Sequence, residues 1–250
     1  MPGRNPIQAF YAEHPRMVSS PFGGVDVIRR ELFLEVLRQL GIALGGRRVL
    51  DVGCGRGYAG EVVAAQGGSY TGLDFVVSRT GFRLVRGDAA CLPFGAGAFD
   101  VVLCLDAAEH FPNPGRAAAE IQRVLKPGGV FFLSAPNYGN VAGLVKWVCE
   151  RWGGYAANTW APFGRWQPQE FEQFVTPGRV RRIGRAAGFR RIRGVGYGTE
   201  VGLGLFPWID HRKMPESIQF RLQRLFRWIG PGIAWFWPRT SLHIFWRMEK

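Results

Sequence analysis

The stretch VLDVGCGRG, residues 49 to 57, decides the reading of this 250-residue chain. Val49, Leu50 and Val52 are the apolar residues of a short strand that carries a carboxylate, Asp51, and opens into glycines at alternate positions, Gly53, Gly55 and Gly57. Glycine reaches positive φ at no Cβ cost and lets a ligand lie directly against the main chain. A nucleotide-like ligand fits such a turn. The spacing is GxGxG with an acid two residues ahead, whereas the dinucleotide fingerprint is GxGxxG, with close helix packing at its third glycine. This favours a nucleoside ligand without a pyrophosphate, for which close backbone approach and carboxylates matter more than a phosphate cradle.

A strand, a glycine turn and a helix open many α/β units, so the segments that follow carry the weight. Ser69 to Leu73 reads as the next strand and ends at Asp74, about 20 residues past the turn, where a carboxylate can accept from both ribose hydroxyls. Residues 84 to 90, LVRGDAA, read as a third strand ending in another carboxylate, Asp88. Phe99 to Leu105 is a buried-strand run. After Glu109 and His110 the chain gives AAAEIQRVLKPGGVFFLSAPN, residues 117 to 137: a helix, a turn at Lys126-Pro127-Gly128-Gly129 and a strand.

In this order the motifs resemble the class I S-adenosylmethionine-dependent methyltransferases, of the type-11 group that includes the ubiquinone and menaquinone biosynthesis enzymes. The likeness is continuous from about Arg48 to Asn137 and returns at Phe174 to Val195. It implies an α/β fold: a Rossmann-like seven-stranded sheet with helices on both faces, in one domain, with S-adenosylmethionine rather than NAD as cofactor. It also implies roles. Asp51 and the backbone of Gly53, Cys54 and Gly55, in the turn that Gly57 closes, would hold the methionine end and its amino group. Asp74 would hold the ribose with Phe75 against the adenine. Asp88 would accept from the adenine N6 amino group, and Ala89 would donate its backbone N–H to the ring. Leu105 and Asp106 would floor the methyl-donor site.

Methyl transfer from a sulfonium is a direct displacement that demands in-line placement of the acceptor and exclusion of water. A hydroxyl or acidic carbon acceptor must also lose a proton. His110, beside Glu109 past the fourth strand, is the histidine in a motif position, and neutral imidazole suits that task near pH 7. The alternative is a scaffold pair that holds the loop. Asp106, Glu109 and His110 also resemble the carboxylate-carboxylate-histidine set by which some quinone-pathway and RNA-end methyltransferases hold a divalent ion, but a fourth ligand is not evident and no metal is assigned.

Around this centre the chain divides into an N-terminal helical cap (1–44), a cofactor-binding core (45–137), a substrate-side cover (138–175), the remaining core (176–200 and 239–250) and an insert (201–238). In the cap, Asp26 can start a helix with Ile28, Leu32, Val36, Leu37 and Leu40 on one face. The cover begins with a helix over 141–152 and continues as an aromatic-rich loop containing Trp160 and Trp166. Thr176-Pro177 opens another helix that Gly188 stops, Phe189 to Val195 is a strand, and Ser241 to Arg247 is the last.

The insert separates two strands that this fold usually joins by a short hairpin. Within it Ile218, Leu222, Leu225, Phe226 and Ile229 recur at helical spacing, with Arg221, Arg224 and Arg227 on another sector and Pro215 at the first turn. A GPGIAWFWP stretch, residues 230 to 238, follows as an aromatic segment broken by prolines and too short to span a bilayer. Two readings compete: an arm packed on the domain, or a surface element with arginines on anionic lipid. Either one lines the substrate side with aromatic area, so a small or lipid-like acceptor is expected.

Composition agrees. Hydrophobic residues make up 47% of the chain, ordinary for a globular α/β protein. The first residues lack the apolar run of a signal peptide. Four cysteines without CxxC spacing argue for a reducing cytoplasm and against structural zinc. The net charge is +13 with nine tryptophans, which points to an anionic surface or partner, including peripheral contact with anionic membrane. Arg179, Arg181, Arg182, Arg185, Arg190, Arg191 and Arg193 form a second basic cluster, which keeps an RNA methyltransferase as the enzyme alternative. Against nucleic acid, no RNA-binding module is appended, and SAPNY at 134 to 138 is not the NPPY-type sequence of base-directed amino methyltransferases. A fold that binds cofactor and has lost chemistry is the non-enzyme alternative. Oligomeric state is not legible.

Overall fold

The computed structural model describes residues 26–77, 81–152, 173–197 and 215–250. The aromatic loop of the cover and the first part of the insert lie outside the described residues. Seven strands form one sheet: β1 (Arg48–Val52), β2 (Ser69–Asp74), β3 (Arg83–Arg86), β4 (Phe99–Leu105), β5 (Leu125–Pro136), β6 (Arg190–Tyr197) and β7 (His243–Glu249). Their order is β3-β2-β1-β4-β5-β7-β6, and the pairs β3/β2, β2/β1, β1/β4 and β4/β5 are parallel. Helices α1 (Asp26–Gln39), α2 (Tyr58–Ala65), α3 (Pro114–Val124), α4 (Val141–Trp152), α5 (Pro177–Ala186) and α6 (Glu216–Phe236) complete the described elements, with 3-10 turns at Ala108–His110 and Pro238–Thr240. None of these helices is long and apolar enough to cross a membrane.

The chain clusters into two compact units, one of residues 1–134, 181–193 and 246–250, the other of residues 135–180 and 194–245. In the first, β1 and β4 are covered on both sides, and Val49, Leu50, Val52, Val102 and Leu103 have no exposed surface. This is why the sequence reads as continuous apolar runs there rather than alternation. Parallel order reverses between β1 and β4, and such a switch point leaves a crevice at the carboxyl ends of the strands. The GxGxG turn follows β1 and the Asp106–His110 segment follows β4, so the topology brings both to that crevice.

The remaining elements differ from expectation mostly at their ends. Asp88 lies two residues past β3 rather than at its end, in an isolated bridge with Cys91. The expected Lys126–Gly129 turn is a bulge inside β5: Phe99 pairs with Leu125 but Val101 pairs with Val130, and Gly128 takes φ +74 to return the chain to register. Strand β7 begins at His243 rather than Ser241. The helix of the insert does not stop at Gly230 but continues through Pro231 to Phe236. Proline removes one i→i−4 donor, yet the apolar periodicity of Ile229, Ile233 and Phe236 carries the helix past it.

Helix α3 shows how sequence sets a boundary. Asn113 caps it by accepting from the Arg116 N–H at 3.0 Å, and Pro114 occupies the first turn. At its other end Lys250 Nζ donates to the carbonyls of Gln122 and Leu125, each at 2.7 Å. In the second unit Asn137 does comparable work. Its Nδ2 donates to the carbonyls of Arg239 and Ser241, both at 2.8 Å, and its Oδ1 accepts from the Gly139 N–H.

Candidate cofactor and methyl-transfer site

The turn after β1 has the left-handed backbone expected of its glycines, with φ +76 at Gly53, +54 at Gly55 and +77 at Gly57. At Gly53 space is excluded as well: a Cβ there would lie 2.4 Å from the Ala107 Cβ. The N–H groups of Gly53 and Cys54 both donate to the Leu73 carbonyl, at 2.8 and 3.1 Å. The Gly55 N–H donates to Asp74 Oδ2 at 2.8 Å. These three amides are therefore spent within the protein; the Cys54 carbonyl accepts from the Gly57 N–H at 2.8 Å, but a carbonyl oxygen keeps a second lone pair to offer a ligand. A pyrophosphate needs free donors; an ammonium group needs acceptors.

Asp51 has the same preference. It is 2% exposed; Oδ2 accepts from the Tyr70 hydroxyl at 2.8 Å, and Oδ1 has no hydrogen-bond partner among the described residues. Burial pushes its pKa up to about 7, against the Tyr70 hydrogen bond that lowers it, and the neighbouring Asp74 charge adds to the rise. A buried carboxylate oxygen without a donor is costly, and a cationic ligand group is what would relieve it. Asp51 pairs with Gly72 across the parallel ladder, so Tyr70, two residues earlier, shares its face. Gly72 leaves the room that Cys54 fills, since a Cβ at 72 would lie 2.6 Å from its Sγ. Cys54 is buried, and burial raises its thiol above the ordinary range, so it packs rather than reacts.

At the end of β2, Asp74 also accepts from the Val76 N–H at 3.2 Å, and burial raises its pKa. Each carboxylate oxygen keeps a further lone pair. Phe75 is half-buried beside it, and Ala89 is buried. Asp88 Oδ1 accepts from the Ala90 N–H at 2.8 Å in a tight loop, tied down where Arg116 Nε donates to the Ala90 carbonyl. Arg123 extends the support by donating to the carbonyls of Leu92 and Phe94.

Across the crevice, buried Leu105 ends β4 and Asp106 takes φ +46, a left-handed conformation uncommon for a side-chain-bearing residue. Ser134, fully buried at the neighbouring position of β5, holds it. Its Oγ donates to Asp106 Oδ1 at 2.7 Å and accepts from the Asp106 N–H at 3.0 Å. His110 is half-buried, and burial lowers its pKa to about 4 although the Asp106 charge opposes this. Its imidazole is neutral at physiological pH. Glu109 is 4% exposed, and the Cys104 thiol is raised by its own burial first and by the nearby Glu109 charge second, a placement that suits the scaffold reading of Glu109. Among the described residues no group of three histidine, cysteine or acidic side chains is placed to hold a metal ion.

Sequence reasoning singled out neither Tyr70 nor Ser134. Both act through register with an adjacent strand, which no local motif encodes.

Comparison with known proteins agrees with this geometry. The methyltransferase domain family matches residues 50–133. The ubiquinone biosynthesis O-methyltransferase of Pseudomonas aeruginosa is 30% identical over 191 residues, which cover 70% of this chain and 75% of that protein. The chain belongs to the type-11 class I S-adenosylmethionine-dependent methyltransferases. The counterpart from Dechloromonas aromatica is 38% identical to this methyltransferase over 112 residues, 38% of the chain and 47% of the relative. Solved structures share the fold. A methyltransferase from Thermotoga maritima described as a possible histamine N-methyltransferase superposes with TM-score 0.58 at 16% identity, covering 98% of both chains. Phosphoethanolamine N-methyltransferase 2 of Haemonchus contortus, solved with S-adenosyl-L-methionine, superposes with TM-score 0.53 at 18% identity, covering 87% of this chain and 51% of that one. S-adenosylmethionine is the cofactor of this methyltransferase, and a site rich in acceptors fits its ammonium, ribose hydroxyl and adenine amino donors.

Proposed function

We propose that this methyltransferase transfers a methyl group to a hydroxyl oxygen of a small, lipophilic, ring-containing acceptor. The observation that carries the reading is its 30% identity to a protein named as an O-methyltransferase of ubiquinone biosynthesis, over three quarters of that protein's length. The cofactor supplies an electrophilic methyl group on a sulfonium. The chain's own residues supply placement. Asp51 Oδ1, with carbonyl oxygens of Gly53, Cys54 and Gly55, takes the ammonium, and Gly57 turns the chain into α2. Asp74 takes the ribose hydroxyls with Phe75 beside the adenine, while Asp88 and the Ala89 backbone read its polar edge. Leu105 and Asp106 form the floor.

His110 is the base assigned to the proton that the acceptor hydroxyl loses: burial leaves its imidazole neutral and so open to a proton, and the Asp106 charge favours the imidazolium that forms. Glu109 holds the 3-10 turn that presents it.

The test is incubation with methyl-labelled S-adenosylmethionine and a host extract, separated into organic-soluble, small aqueous and nucleic-acid fractions. Organic-soluble label present as an O-methyl ether and absent with Asp51→Ala is the expected result. Label on carbon would move the reaction to C-methylation. Label in RNA would replace the reading by one based on the arginine cluster, and cofactor binding without label by one of a non-catalytic binding protein. That cluster is partly committed internally: Arg179 donates to the Phe174 carbonyl, Arg181 stacks over Trp246, and Arg191 pairs with Glu249.

A further inference from the structure

Helix α6 exposes what a packed arm would hide. Phe220 is 58%, Trp228 81%, Trp235 63% and Phe236 74% exposed, followed by Trp237 at 69%. Trp228, Ile229, Gly232, Ile233, Phe236 and Trp237 line an open groove of about 620 Å³. Arg221, Arg224, Trp228 and Trp235 recur at i, i+3, i+7 and i+14, so arginines and tryptophans share one stripe. Ile218, Leu225, Ile229 and Phe236 form the stripe beside it. Between Glu216 and Glu249 the chain carries no acidic residue. Arg221, Arg224, Arg227 and Arg239 are exposed, without an ion-pair partner among the described residues.

We infer that α6 and the following Trp237–Arg239 segment form a docking surface for an anionic lipid bilayer. The helix lies in the plane of the interface, with its tryptophans and phenylalanines at headgroup depth and its arginines on lipid phosphate. Charge selects this occupant. A second copy of the chain would bring the same arginines face to face with no acid in the segment to pair them. A nucleic acid would leave the aliphatic stripe of Ile218, Leu225 and Ile229 in water. An anionic bilayer satisfies both stripes, since indole rings prefer the interface and arginine stems extend along apolar surface to reach it. The inference goes beyond the acceptor reading and does not depend on it, because binding to lipid is read without turnover.

The experiment is co-sedimentation of the full chain with vesicles of phosphatidylcholine mixed with phosphatidylglycerol, against phosphatidylcholine alone. The wild-type protein is expected to pellet with the mixed vesicles, to pellet far less with the neutral ones, and to be released by added salt. Replacing Arg221, Arg224 and Arg227 together by Gln should weaken binding by about a hundredfold, and the Trp228→Ser/Trp235→Ser double variant should also lose it. Both variants should retain cofactor binding. Wild-type protein that ignores anionic vesicles, or pellets equally with both kinds, overturns the inference. So does a concentration-dependent dimer, seen by sedimentation velocity, that the tryptophan variant abolishes while vesicles leave the protein in the supernatant.

Discussion

On the proposed role of Asp51, cofactor loading is coupled to protons. Its pKa in the cofactor-free protein is near 7 because it is desolvated, yet pairing with an ammonium group requires the carboxylate. Cofactor affinity should therefore rise with pH through about 7, with proton release that calorimetry in buffers of different ionisation enthalpy detects. Asp51→Asn should weaken binding at least tenfold at pH 8, the scale of one lost charge-assisted hydrogen bond, and remove the pH dependence. The same residue opposes stability. Folding raises its pKa from 3.8 to about 7, so the folded state holds more protons in that window and this contribution falls as pH rises through it. Asp51→Asn should stabilise the cofactor-free protein at pH 8 by roughly 2–4 kcal/mol, a gain that shrinks toward pH 4 in thermal melts. His110 is also destabilising, but in the opposite direction. Its folded pKa, about 4, lies below the ordinary 6.5, so its penalty is lifted as pH rises through that interval. His110→Gln should lower kcat by about 100-fold with little change in cofactor Kd, and the wild-type acid limb of kcat/KM should lie well below 6.5. Gly53→Ala, forced into φ +76 against Ala107, should cost about 2 kcal/mol or more and abolish cofactor binding.

At the scale of elements, the core strands were legible because β1, β2 and β4 are apolar runs bounded by turn residues. The cofactor turn was legible because each glycine in it is required by backbone conformation. Pairing was not. Tyr70 meets Asp51, and Ser134 meets Asp106, only once β1 lies beside β2 and β4 beside β5; the sequence shows two unremarkable strand residues. The Lys126–Gly129 segment looks like a turn because proline and two glycines mark both turns and bulges, and only the ladder with β4 distinguishes them. Proline misled again at 231, where apolar periodicity outweighed one missing N–H. Caps, by contrast, are local. Asn113→Ala should destabilise the protein by about 1 kcal/mol, measured by denaturant unfolding, and should weaken cofactor binding at most slightly, because α3 supports the Asp88 loop through the Arg116 side chain and the Ala90 carbonyl, a bond the substitution leaves in place.

For the whole molecule, the net charge of +13 and the carboxylates of the site act on different ligands. Salt should separate them. Raising ionic strength from about 50 to about 300 mM shortens the screening length from about 14 to about 6 Å, which screens exposed arginines strongly and a buried charge pair far less. Cofactor Kd by calorimetry should thus change by less than about threefold, while retention on an anionic column falls away. The bond between Ser134 and Asp106 carries a last consequence. It fixes a left-handed residue through hydrogen bonds made within the protein, so on the proposed placement of the methyl donor over Leu105 and Asp106 the floor is held by the fold itself. In kinetic language, that part of the site has no assembly step to wait for: cofactor capture should be a single encounter whose observed rate climbs linearly with concentration and shows no plateau.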